Sequence, residues 1–174
     1  ARVLNVNILI TGHDTFHNRG CQALVYTTTA ILKGVFPDAA FTVLSWDPEY
    51  DEPRMRADHP EIPVRFIRHR FQVGEFSRRN RLWMAINRAG LRTDRILWTQ
   101  PRLYEAIKSC DLLIVSGGDI LGDYGDEAIR HYLFPVAVAQ TLGKPVYVFA
   151  QSISRHSTEE MRRFVGRHLE RAAL

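Results

Sequence analysis

The chain has 174 residues, 45% of them hydrophobic, and a formal charge of +4, which predicts one domain with a real core and leaves no room for a second full one. No apolar run approaches the roughly 20 residues that cross a bilayer, and the first residues lack the charged, apolar, small order of a secretion signal. Two cysteines, Cys21 and Cys110, make neither a disulfide framework nor a metal set, so reduced thiols in a cytoplasmic protein are expected.

Val3 to Thr11 is apolar and β-branched at most positions and ends at Gly12, which predicts a first, central strand. A polar loop from His13 to Gly20 leads into a helix from about Cys21 to Phe36, with Leu24, Ile31 and Val35 at helical spacing and Pro37-Asp38 as its stop. Phe41 to Trp46 reads as a second strand, completing a βαβ unit. The prolines between Glu49 and Pro63 argue against regular structure, and Val64 to Arg68 predicts a short strand.

Twenty of the 23 basic residues are arginine, and twelve of these lie between Arg54 and Arg102 against four acids. Such a stretch would attract phosphates, anionic sugars or an anionic membrane surface, and a merely solvated arginine-rich face is the alternative. No nucleic-acid module signature accompanies it, so nucleic acid is not an expected partner. Within this stretch Phe76 to Gly90 reads as a helix.

Pro101 to Ser109 predicts a helix with proline in its first turn. Leu112 to Val115 is a continuous apolar strand that stops at Ser116, followed by a glycine-rich loop through Gly117, Gly118, Asp119 and Asp123. Glu127 to Leu142 reads as a helix kinked at Pro135, Val146 to Ala150 as a further strand, and Gln151 to Ser154 as its exit loop. Ser157 and Glu160 have the spacing of a capping box ahead of the stripe Met161, Phe164, Val165, His168, Leu169 and Ala172. At least five strands alternating with helices predict an α/β fold, a doubly wound Rossmann-like parallel sheet.

In that topology the loops after the first strand and after Val115 leave neighbouring strands on either side of the order reversal, so their residues converge on one crevice. The first loop offers His13, His17, Asn18, Arg19 and Gly20 ahead of a helix amino terminus that favours an anion. A tight turn in which Asn18 only caps the helix is the alternative. Neither a phosphate-loop lysine motif nor a G-x-G-x-x-G fingerprint is present. The second loop offers Ser116, the adjacent Gly117 and Gly118, and the carboxylates Asp119 and Asp123, which could orient sugar hydroxyls, act as a base or, for the following Asp126, merely cap a helix. Asp119 and Asp123 could hold a hard cation, but two carboxylates in one loop are weak evidence of a metal site, and none is expected. Gln151 and Ser152 could line the same crevice or satisfy local backbone. His59, His69, His131 and His156 carry no distinguishing spacing, and His168 reads as a core-edge residue.

The blocks Asn18 to Leu24 (NRGCQAL), Phe36 to Pro48 (FPDAAFTVLSWDP), Asp111 to Asp123 (DLLIVSGGDILGD) and Leu142 to Ser154 (LGKPVYVFAQSIS), in this order, resemble the amino-terminal half of the polysaccharide pyruvyl transferase family. Two positions depart from its usual pattern, with Asp119 in place of a third glycine and Ser154-Arg155 in place of a Gly-Pro pair. The resemblance implies one half of a glycosyltransferase-B-like enzyme whose cleft is completed by a carboxy-terminal domain, so the 174 residues alone are expected to be inactive.

It further implies transfer of the pyruvyl unit of phosphoenolpyruvate onto two hydroxyls of an envelope glycan or lipid-linked oligosaccharide, as a ketal, at the inner face of the membrane. No cofactor is expected beyond phosphoenolpyruvate as donor. His13, His17 and Asp119 are then the candidates for proton transfer. Asn18, Arg19, Gly20, Gln22, Ser116, Gly117, Gly118, Asp123, Gln151 and Ser152 are the candidates for substrate contact. The competing readings are half of a nucleotide-sugar glycosyltransferase and a non-catalytic Rossmann-like binding module.

Overall fold

The computed structural model describes residues 6–69, 100–122, 125–155 and 158–173. Five strands form one sheet: β1 (Asn7–Thr11), β2 (Ala40–Ser45), β3 (Val64–Arg68), β4 (Leu112–Leu121) and β5 (Val146–Ile153). Their order is β3-β2-β1-β4-β5 and every pair is parallel, so the order reverses between β1 and β4 as the sequence predicts. The register Ile8↔Leu112 to Thr11↔Val115 brings the carboxyl ends of these two strands level.

The helices are α1 (Arg19–Val35), α2 (Pro48–Asp58), α3 (Pro101–Ser109), α4 (Asp126–Tyr132), α5 (Phe134–Thr141) and α6 (Glu159–Leu169). Two apolar clusters correspond to the two sheet faces. One joins Leu9, Leu44, Leu113 and Val115 to Ile107, Ile129, Phe134, Val138 and Phe164 of the later helices. The other joins Ile8, Ile10, Phe41, Val43 and Ile114 to Phe16, Val25 and Met55. Alternate residues of β1 and β2 thus supply opposite faces, as the two-residue strand repeat requires.

Several expectations are corrected. The segment read as irregular contains α2, because Pro48 occupies the first turn, where its missing N–H costs nothing, and Glu49 and Asp51 favour the positive helix end. Pro53 lies inside this helix, and burial of Met55 and Asp51 offsets the lost bond. The buried side of α1 is Gln22, Val25, Thr28 and Thr29, while Ile31 and Val35 are 50% and 64% exposed. The threonines tolerate burial because Thr29 donates to the Val25 carbonyl and Thr28 bonds Ser116.

The long helix predicted around Pro135 is two helices, with the proline in the first turn of the second. Thr158, accepting from the Met161 N–H at 3.2 Å, caps α6. Ser157, and the helix read over Phe76 to Gly90, lie outside the described residues.

Neither β4 nor β5 stops where its apolar run stops. Gly118 pairs with Gln151 and Leu121 with Ile153 across a register shift, so the glycine-rich segment and the exit loop form a two-stranded extension above the sheet. Gly117 and Gly118 reach it with φ of +100° and +71°. Gly12, at φ +103°, ends β1, and a Cβ placed there would lie 2.6 Å from the Ser116 carbonyl oxygen. Gly12→Ala is therefore expected to lower stability by about 3 kcal/mol, combining backbone strain with a clash against backbone that cannot move aside. Urea unfolding at neutral pH measures it.

Candidate active site

The first loop is fixed from three sides. Asp51 of α2, fully buried, accepts from Thr15 Oγ1 at 2.9 Å, the Phe16 N–H at 2.8 Å and Ser45 Oγ at 2.5 Å. The Asp14 carbonyl accepts from the Trp46 N–H at 2.7 Å. From the other side of the sheet, Tyr132 of α4 donates its hydroxyl proton to Asp14 Oδ1 at 2.7 Å. Asp14 is half-buried, and burial first, then the Asp119 charge, raise its pKa, against a lowering by the Tyr132 bond. Asp119 acts on Tyr132 as well, so the end of β1, the β4 extension and α4 meet around one carboxyl group.

Of the residues singled out in the sequence, His13 is 4% exposed and neither ring nitrogen has a hydrogen-bond partner among the described residues. Burial lowers its pKa to about 4, so it is a neutral imidazole at physiological pH. His17 turns the other way: it stacks on Tyr50 at 3.7 Å between centroids, with Nε2 3.4 Å from Asp47. Asn18 accepts from the Gly20 N–H at 2.9 Å and so caps α1.

Arg19 donates to Gln22, which in turn donates to the Tyr26 hydroxyl, a chain that continues to Asp58 of α2. Gln22 therefore binds helix to helix. Ser116 is buried against Thr28 at 2.8 Å. Gln151 Nε2 donates to the Gly117 carbonyl at 2.5 Å, locking the extension, and Gly118, Asp119 and Ser152 are exposed on it. Asp123 lies outside the described residues.

No local pattern singles out Asp14, Tyr132 or Asp51, whose partners are 118 and 35 positions away along the chain. Nor did spacing single out His69 and His131, which stack with centroids 4.2 Å apart and ring planes within 10°. His69 follows β3, donates from Nδ1 to Gln100 Oε1 (3.0 Å), and leaves Nε2 buried with no hydrogen bond among the described residues. Burial lowers both pKa values, that of His69 to about 4.

Cys21 and Cys110 are free thiols with pKa values raised by burial, which disfavours the thiolate. Among the described residues no group of three or more His, Cys, Asp or Glu is placed to hold a metal ion, and no helix is long and apolar enough to cross a membrane. A cavity of about 670 Å³ lined by Met55, Arg56, His59 and Arg65 opens beside Asn7, Phe41 and Val64, at the amino ends of the strands. Open α/β sheets take their ligands at the carboxyl ends, where the order reverses, and Asp14, three residues after β1, is at that end.

A doubly wound parallel sheet, its order reversing between β1 and β4, defines a Rossmann-like domain. The sequence profile of the polysaccharide pyruvyl transferases matches residues 18–174, and the chain belongs to that family. No curated protein matches it. Among solved structures, it is similar to TcCGT1 in complex with UDP (12% identity, 84% of this chain and 28% of that one, TM-score 0.42). It is also similar to a ugt transferase from Siraitia grosvenorii in complex with UDP (19% identity, 82% and 27%, TM-score 0.44). The chain thus spans less than a third of the length of either.

Proposed function

We propose that the protein transfers the pyruvyl group of phosphoenolpyruvate to a sugar of a cell-envelope polysaccharide or its lipid-linked precursor, forming a pyruvate ketal and releasing phosphate. Membership of the pyruvyl transferase family carries this reading, and the Asp14 carboxyl group at the switch point supports it as a group able to move protons. The donor's carboxylate and phosphate need cations that a second domain supplies across the cleft, with Arg19, exposed at the start of α1, as this chain's own contribution. A lipid-linked acceptor places the work at the inner face of the membrane, where the arginine-rich stretch 54–102 meets anionic headgroups.

The test is transfer by the full-length enzyme given phosphoenolpyruvate and a panel of aryl hexosides. Phosphate release matched by a new ketal methyl signal in the proton spectrum is expected. Turnover of a nucleotide sugar in the same panel, with no phosphate released from phosphoenolpyruvate, would replace this reading by a glycosyl transfer.

A further inference from the structure

The carboxyl group at the meeting point of three elements is Asp14, which precedes the residues that the family profile matches. Its Oδ1 is held by the Tyr132 hydroxyl at 2.7 Å, its backbone by the Trp46 N–H, and among the described residues its Oδ2 has no hydrogen-bond donor. The side chain is half-buried, so it is oriented and still reachable. Among the described residues the titratable groups that face it are Tyr132 from α4, Asp119 from the β4 extension and Cys21 from α1. None of them is a cation that would hold it ionised. His13, its neighbour in sequence, is closed off from solvent.

We propose that Asp14 is the catalytic acid and base of the pyruvyl transfer, with Tyr132 as its positioning residue. The assignment rests on the reaction proposed above.

Protonated Asp14 gives its proton to the methylene carbon of the enolpyruvyl unit, whose double-bond pair forms the new C–H bond. The first sugar hydroxyl attacks the neighbouring carbon, and its proton returns to Asp14. In the second half the C–O bond to phosphate breaks with its electron pair, the second hydroxyl attacks, and its proton leaves with phosphate. Two hydroxyl protons are consumed, one in the new methyl group and one in the released phosphate, and Asp14 ends as it began.

The shuttle needs Asp14 protonated at the start, so kcat/KM falls as pH rises through its pKa. The Tyr132 bond favours the ionised carboxylate. Tyr132→Phe is therefore expected to move that limb of the pH profile to higher pH, whereas a purely structural tyrosine would leave it in place. Asp14→Asn is expected to lower kcat about 100-fold or more with its Tm retained. Transfer by Asp14→Asn within tenfold of wild type overturns the assignment and leaves the pyruvyl transfer standing. Should that variant fail to fold, the Tyr132→Phe profile decides, and an unmoved limb overturns the proposal. Wild-type enzyme that releases no phosphate from phosphoenolpyruvate with any hexoside of the panel overturns the reaction itself, and the assignment with it.

Discussion

Replacing Asp51 by alanine is expected to cost about 3–5 kcal/mol, an unusually large effect for one polar residue. The carboxylate is fully buried and accepts from the loop after β1, through Thr15 and Phe16, and from the end of β2, through Ser45. Its removal leaves an N–H and two hydroxyls without an acceptor, two of the three in buried surroundings. For a chain of this size the loss corresponds to a fall in Tm of roughly 10 °C. Asp51→Asn keeps one acceptor oxygen but turns an amide N–H₂ toward a donor, so an intermediate loss is expected. Thermal unfolding of both variants checks the order, and an alanine variant melting within about 2 °C of wild type would show that the loop does not depend on this anchor.

Acid is expected to unfold the protein well above the ordinary carboxylate range. His13 and His69 are buried as neutral imidazoles, each with a pKa lowered from 6.5 to about 4 by burial. Above pH 6.5 both the folded and the unfolded chain carry these rings neutral, and stability is fully present. Between 6.5 and 4 the unfolded chain gains protons that the folded one refuses, so stability falls, by about 2–3 kcal/mol per ring at pH 4.5.

His131, lowered by its own burial and by the neighbouring His69 charge, adds to the loss. Asp14, whose pKa is raised, works in the opposite direction. The sum is comparable with the whole stability of a typical domain, about 5–15 kcal/mol. Urea unfolding from pH 7.5 to 4.5 should show a plateau and then a steep fall. His69→Phe, which keeps the ring against His131, should remove about 2 kcal/mol of that fall. Constant stability down to pH 5 would contradict the account.

What was legible in the sequence was the local pattern and the order of elements. Val64–Arg68 and Pro101–Ser109 match their expected bounds, because each is closed by signals within a few residues. Order reversal between β1 and β4 follows from the alternation of strands and helices. The misreadings arose where a residue's usual local meaning was overruled by a distant partner. Proline at 48 starts a helix because its N–H would have been unpaired anyway.

The glycines at 117 and 118, read as a loop after the strand, lie inside a longer strand because Gln151 and Ile153 pair with it. Threonines 28 and 29 displaced Ile31 and Val35 from the buried side of α1 because their hydroxyls found hydrogen-bond partners. Asp14, Tyr132 and the stacked pair His69 and His131 become visible only when segments far apart in the chain are brought together. Hydrophobic periodicity carries no information about such polar meetings.

The central claim is that substrate binds where the loop after β1 meets the β4 extension. Amide hydrogen exchange of the full-length enzyme, with and without phosphoenolpyruvate, tests it most directly. Slowed exchange over residues 12–22 and 116–122 is the expected result. Protection confined to the cavity at the opposite end of the strands, around Arg56, His59 and Arg65, would contradict it.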